Sequence, residues 1–585
     1  MNVAFLQDLS QHFGTPVTAD ICPPNFSADL TVNCFTFAKT LRQNPMQLAQ
    51  QVRERLLQHP DVQSADVVKA FVNVTLKTDA LMRDTVASPT AILDGAKLPP
   101  DERRRILIEF SAPNTNKPQH LGHVRNNCIG MATASILEAA GHDVIRVNLV
   151  NDRGIHICKS MLAYQRFGNG VTPQTAGKKG DHLVGDFYVT YDREFKRQVT
   201  ELRQQRPELA DKTDDELFLE TEIGQATQTM LKAWEDNDPQ VRQLWQTMNQ
   251  WVFDGFAETY ARMGVRFDKL YLESQTYMLG KDIVADGLDR GVFRRREDGA
   301  VVFDLDDAAQ GSKVVLRKDG TSVYVTQDLG TTLLKQRDFS PDQQIWVVAD
   351  EQIRHFKVLF DILRALGYGW ADKLTHMAYG MVNLPSGKMK SREGTVVDAD
   401  DLMDEMQSLA REATVERAGD SLPDNLDERA AVISIAALKF MLLKVNPKTT
   451  IKFDPQASIK FEGDTGPYVL YAYARIASML RKAEETAQAQ PDWSLLETPA
   501  EHRLAIRCAA YGDALRKAAR ELDSSVIAAY LLDLAKDFSA FYRACPVLNA
   551  DSDALRATRL QLSARVRDIL KAGLAALTIG TLESM

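Results

Sequence analysis

Two histidines, His120 and His123, stand three residues apart in Ser111–Asn127, which reads SAPNTNKPQHLGHVRNN, where an apolar strand hands over to a helix. The strand is Ile106-Leu107-Ile108, the turn runs from Ser111 to Lys117, and Pro118 sits where a first helical turn tolerates a missing N–H. The helix is expected to run on through Met131 and Leu137. Residues three apart share a helical face, so both imidazoles can point above the helix N-terminus, where free N–H groups and the macrodipole favour anions. Gly122 lies between them and lacks a Cβ, which lets a flat ring or a phosphate approach the backbone. The chemistry implied is the binding of nucleotide phosphates. An isolated HxxH is more often a pair of polar caps, so the assignment depends on the rest of the chain.

PNTNKPQHLGH resembles the class I aminoacyl-tRNA synthetase signature usually written HIGH, in the form found in arginyl-tRNA synthetases, with Leu121 replacing the usual isoleucine. Far downstream, Gly387-Lys388-Met389-Lys390-Ser391-Arg392-Glu393-Gly394 resembles the KMSKS loop that closes on ATP phosphates in those enzymes. Lysine and serine have traded places relative to KMSK, so Lys388, Lys390 and Arg392 all stand as candidates for the phosphate cation, with Lys117 sharing the role. The resemblance also brings Gly122, Ser391 and His355 to the ATP site, although Ile353 replaces the acid that relatives more often carry beside that histidine.

The same resemblance implies a site for arginine. A planar cation with five donors is best met by carboxylates in fixed orientation. The strings IEFSAPN, VYVTQD and ADEQIRHF resemble the family segments that hold the amino acid. By that match Asp328 takes the guanidinium and Glu109 the α-amino group or the guanidinium, while Asn114, Tyr324 and Gln352 orient the rest. Each of these positions is also open to a purely structural reading, as a satisfied polar group.

The elements that must position these residues follow from pattern. At 585 residues the chain exceeds one core. Pattern and the family resemblance together imply an α/β architecture: a Rossmann-like parallel nucleotide-binding sheet with a helical insertion, an α+β N-terminal appendage and an all-α C-terminal bundle that the resemblance makes anticodon-binding. Residues 1–100 mix a helical pattern, Phe35 to Leu57, with an alternating strand, Ala70 to Lys77. They resemble the appendage that touches the outer corner of tRNA in bacterial relatives. Residues 101–455 alternate strand and helix, with a strand at Asp143–Val150 followed by the family-like Asn151-Asp152-Arg153-Gly154-Ile155-His156. Residues about 165–248 read as a polar helical insertion, clearest from Asp214 to Trp234. Val314 to Val325 reads as a hairpin turning at Asp319-Gly320. Buried strands follow at Ile345–Ala349 and His376–Leu384. Residues 456–585 are helical with breaks at Pro491 and Pro546. There Asp513-Ala514-Leu515-Arg516 matches the DALR signature of the family's anticodon-binding bundle, and most of the aromatics from Tyr530 to Tyr542 are expected in its core.

Composition limits the alternatives. The six cysteines, 22, 34, 128, 158, 508 and 545, form no ligand cluster, so neither structural zinc nor a disulfide framework is expected, and no metal-ligating set is assigned. No apolar run is long enough to span a membrane, and MNVAFLQDLSQHFG lacks the basic start and apolar stretch of a signal peptide, so a cytoplasmic location is expected. A net charge of −9 argues against indiscriminate coating of nucleic acid, and no DNA partner is expected. The expected partners are tRNA(Arg) and L-arginine, with ATP and its Mg²⁺ as cosubstrate, and a monomer is the family expectation. Of the rivals, an enzyme that hands an adenylated amino acid to a small amine would lack the helical tail, and a general nucleotidyltransferase would lack both terminal domains. A silent RNA-binding relative would have lost the histidines or the basic loop.

Overall fold

The computed structural model describes residues 4–23, 26, 28–85, 91–305, 311–383, 397–418, 422–484 and 489–585. At the N-terminus, strands β1 (Ala19–Ile21), β2 (Leu30–Asn33), β3 (Val62–Val68) and β4 (Phe71–Leu76) form an antiparallel sheet in the order β1-β2-β4-β3. The single helix expected over Phe35–Leu57 is two, Phe35–Leu41 and Pro45–Leu56. Arg42 turns left-handed at φ 53°, and the Asn44 side chain then accepts the N–H of Met46 at 2.9 Å ahead of Pro45. An Asn cap followed by proline starts a new helix more readily than it continues an old one.

The centre is a five-stranded parallel sheet in the order β12-β11-β5-β6-β7. Its strands are β5 (Arg105–Glu109), β6 (Asp143–Val150), β7 (Lys269–Leu272), β11 (Gln343–Ala349) and β12 (Leu374–Tyr379). Between β7 and β11 a small antiparallel sheet is made by β8 (Arg294–Arg295), β9 (Val301–Asp304) and β10 (Ser312–Leu316). Two further strands, β13 (Val382–Asn383) and β14 (Ile451–Lys452), pair parallel, so the expected strand His376–Leu384 is interrupted at Gly380, and Leu384 lies outside the described residues. Strand order reverses at β5, between β11 and β6, and ligands of such sheets sit beyond the carboxyl ends at that point.

The hairpin expected over Val314–Val325 is corrected. The Asp319-Gly320 turn is present, with Gly320 at φ 77°, but the return leg is one bridge, Leu316 to Ser322, before a helix starts at Tyr324. β10 pairs with the preceding β9 instead. Tyr324 and Asp328 therefore lie on one helix, four residues apart on the same face, rather than at strand ends.

The insertion comprises the helices Ile155–Phe167, Gly180–Gln205, Glu222–Glu235 and Pro239–Met263 around their own core of residues such as Met161, Tyr191, Ile223 and Val252. The continuous stretch expected from Asp214 to Trp234 breaks at Thr221, whose hydroxyl caps the Gly224 N–H at 3.2 Å. The C-terminal bundle contains Gly466–Glu484, Pro499–Ala509, Tyr511–Glu521, Ser524–Ala544 and Asp553–Ala576. Tyr530, Phe538 and Phe541 are buried in it, and Tyr542 is 38% exposed. Leu515 of the DALR sequence is core, whereas Arg516 donates to the Gly95 carbonyl at 2.7 Å and ties the bundle to the segment ahead of β5. All six cysteines are buried and unpaired. No described helix is long and apolar enough to cross a membrane.

Candidate active site at the carboxyl edge of the parallel sheet

The signature helix runs from Leu121 to Ala139, later than the sequence implied, and His120 is its N-cap while Pro118 stays outside the first turn. His120 Nδ1 accepts the Gly122 N–H at 3.1 Å, and His123 Nδ1 accepts the His120 N–H at 3.2 Å. An Nδ1 that accepts from an amide carries no proton, so the ring proton of each neutral histidine sits on Nε2 and each ring keeps one donor. Burial, then the Lys117 charge, pushes the His120 pKa down to about 4. Burial, then His120 and Lys117, holds His123 well below the ordinary imidazole value. At neutral pH the pair is therefore two uncharged donors, with ring centroids 4.0 Å apart, at a helix N-terminus. The group that needs Gly122 is His120 itself, since a Cβ on residue 122 would lie 2.8 Å from His120 Cε1.

Glycine-flanked Lys388, Lys390, Ser391 and Arg392 lie outside the described residues. Both flanks of that segment are nevertheless joined to the signature. Leu121 N–H donates to Val397 O and Ala399 N–H to Gln119 O, each at 2.9 Å. On the other side the buried Arg125 donates to Met381 O and to Thr449 O, both at 2.6 Å, and to Pro447 O at 3.1 Å. Asp400, in the first turn of the next helix, is held by Lys179 at 2.6 Å and His182 at 3.0 Å from the insertion.

The residues expected to hold an amino acid surround the ends of β5, β6, β7 and β11. Asn114 is exposed and bridges to Asn151, beyond β6. Tyr324 is 76% exposed in the first turn of its helix. Asp328 Oδ2 is 2.6 Å from His355 Nε2, so His355, expected at adenosine, is engaged with Asp328 here. Gln352 stands at the N-cap position of the helix Ile353–Ala365, makes no side-chain capping bond and is exposed. Glu109 ends β5 but is buried in an ion pair with Lys335 of the Tyr324 helix, so its carboxylate is not free in this structure.

A carboxylate that the sequence reading missed joins them. Glu273 follows β7 at the same edge, and with the Asn151 amide turned to suit its neighbours, that side chain donates to Glu273 Oε2 at 3.2 Å. Burial, then repulsion from Asp328 and Asp152, raises the Glu273 pKa to about 7 against the opposing charge of Arg153. Asp152 is committed to Ser274, accepting its N–H at 2.8 Å and its hydroxyl at 2.6 Å. Glu273 and Asp328 thus stand close enough to repel each other, a candidate carboxylate cleft with an excess of negative charge that suits a cation. The only signal for Glu273 in the sequence was an acid directly after a strand, common enough to pass unnoticed.

Comparison with known proteins places the whole chain. The family model for the class I tRNA synthetase (R) catalytic domain matches residues 89–454, the DALR anticodon binding domain residues 469–585, and the arginyl tRNA synthetase N terminal domain residues 5–76. The arginine–tRNA ligase of Bacteroides thetaiotaomicron is 43% identical over 564 residues, covering 95% of this chain and 93% of that protein. The enzyme of the same name from Parabacteroides distasonis is 42% identical over 594 residues, covering 100% and 98%. Among solved structures, the Thermus thermophilus arginyl-tRNA synthetase aligns over 100% of this chain and 99% of its own with a TM-score of 0.80 at 28% identity. With a catalytic-domain model matching more than half of the chain and relatives 42–43% identical over nearly its whole length, the protein belongs to the arginyl-tRNA synthetase family of class I aminoacyl-tRNA synthetases.

Proposed function

We propose that the chain activates L-arginine with ATP, releasing pyrophosphate, and transfers the arginyl group from arginyl-adenylate to the 3′-terminal adenosine of tRNA(Arg). The observation that carries this reading is the juxtaposition of two neutral Nε2–H donors with the Glu273–Asp328 cleft at one sheet edge. The arginine carboxylate attacks the α-phosphorus in line, and negative charge spreads over the phosphate oxygens. His120 and His123 donate to those oxygens without needing to be charged, so the groups are ready at any pH well above 4. ATP enters as its Mg²⁺ salt, and one of Lys388, Lys390 or Arg392, together with Lys117, neutralises the departing pyrophosphate. Ser391 and Gly122 border the nucleotide.

Asp328 and Glu273 take the guanidinium. Glu109 faces the α-amino group once arginine draws it from Lys335, and Asn114, Tyr324 and Gln352 fix the backbone end. A lysine ammonium would leave fork-shaped acceptors unpaired, a mismatch that can reject an analogue by ~10⁴-fold or more. Residues 1–100 touch the tRNA corner, 101–455 carry the chemistry and 456–585 read the anticodon. The enzyme acts as a cytoplasmic monomer without a DNA partner. Arginine-dependent pyrophosphate exchange with and without tRNA, followed by formation of the arginyl ester, tests the reading; exchange with another amino acid in place of arginine overturns it.

A further inference from the structure

The rim of the carboxylate cleft carries a guanidinium of its own. Arg153 directly follows Asp152, and its guanidinium carbon lies 3.8 Å from the centroid of the Tyr277 ring and 5.1 Å from that of Trp234. Its Nη2 donates to Glu235 at 3.1 Å, while its Nε, also buried, makes no hydrogen bond among the described residues. Trp234 and Glu235 belong to the insertion helix Glu222–Glu235, and Arg242 of the next insertion helix lies 3.6 Å from the Trp234 centroid. Tyr277 directly follows the short helix Glu273–Thr276, its N–H donating to the Glu273 carbonyl at 3.0 Å. The insertion also fixes the backbone there, with Trp245 Nε1 and Asn249 Nδ2 donating to Asp152 O at 2.6 and 3.1 Å.

This arrangement sets a chemical problem. A cleft shaped for a guanidinium will take any guanidinium that reaches it, and a tethered one competes at an effective concentration on the order of millimolar. Stacking on aromatic faces and pairing with a carboxylate are the two interactions that best hold a guanidinium elsewhere. We propose that Tyr277, Trp234 and Glu235 form a clamp that keeps Arg153 out of the arginine pocket, which makes the helical insertion a determinant of substrate affinity. The proposal rests on reading the Glu273–Asp328 cleft as that pocket. The clamped charge is still close enough to oppose the repulsion between Glu273 and its acidic neighbours, which gives a reason for an arginine to stand there. Arg153 and its three holders are positioning residues.

Steady-state charging of tRNA by the full chain tests this. Tyr277→Leu is expected to raise KM for arginine about tenfold, the scale of a partly desolvated cation–π contact, with kcat and KM for ATP unchanged. Tyr277→Phe, which keeps the ring, should stay near the parent value. Adding Arg153→Gln to Tyr277→Leu should return KM to that of Arg153→Gln alone. Glu235→Gln, at a half-exposed carboxylate, repeats the test with the same rescue if the leucine variant does not fold. An unchanged KM in both, or a double variant whose effects simply add, overturns the clamp. A parent enzyme that makes no arginyl ester removes the pocket reading instead, and one that charges arginine while Tyr277→Leu is silent removes the clamp alone.

Discussion

The proposed phosphate cradle and the proposed carboxylate cleft lie at the same sheet edge and are built in opposite ways. The cradle is local: His120, Gly122 and His123 cap one another's backbone within four residues, so the motif orients both rings with little help from elsewhere. The cleft is assembled from Asp152 after β6, Glu273 after β7 and Asp328 on the helix Tyr324–Phe339, elements far apart in the chain. Short-range wiring gives rigid donors whose protonation is set by burial. Long-range assembly gives a charged pocket whose protonation depends on its neighbours and on the ligand. Substitutions in the cradle should therefore act on kcat and those in the cleft on KM.

The largest expected effect tests the first half of that contrast. His123→Ala removes a preorganised donor, and kcat should fall about 10²–10³-fold with KM for arginine little changed, as read by single-turnover adenylate formation. Turnover equal to the parent would take that imidazole out of the mechanism. For the cleft, Asp328→Asn should raise KM for arginine about 10²-fold and leave arginine-independent ATP binding intact, because removing one partner of a desolvated charge pair costs ~2–5 kcal/mol. A comparable loss in kcat alone would show that the two regions are not separable.

A smaller effect concerns pH. The Glu273 carboxyl titrates near 7 in the unliganded protein and must be ionised to meet a guanidinium, so kcat/KM for arginine should climb as pH rises from 6 to 8 and then level. Glu273→Gln should flatten that rise, and a profile indifferent to the substitution would remove Glu273 from the pocket. The linkage has the matching sign. The folded-state pKa lies above the ordinary carboxyl value, so this group's contribution to stability is full below about pH 4 and is lost as pH passes 7. Saturating arginine should accordingly raise Tm more at pH 8 than at pH 6. The smallest effect is expected at Gly122→Ala, where the added Cβ must displace the His120 ring by a few tenths of an ångström; kcat should drop about tenfold with KM for arginine unchanged.

How much could be read beforehand differs between these regions. The HxxH spacing, the strand before it and the parallel β5–β6 pair were legible because each follows from short-range periodicity and capping chemistry. The Tyr324 helix was not, because an Asp-Gly turn between β-branched residues has the local signature of a hairpin, and the second leg is overridden by packing of Val325 and Leu329 against the core. Glu273 was invisible for a related reason. Nothing nearby in sequence distinguishes it from a surface acid, and its burial arises only when β7 joins β6. Glu109 was placed correctly at a strand end, yet its pairing with Lys335 depends on a helix more than 200 residues away.

The sequence by itself determined the fold class and the family, since these rest on residues that interact with near neighbours or match long stretches of relatives. Only the tertiary structure decided which carboxylates share the cleft, what engages His355 and Glu109, and that the insertion grips Arg153. Those facts depend on distances between segments that no local pattern encodes, and Coulomb interaction and desolvation are set by distance in space rather than along the chain.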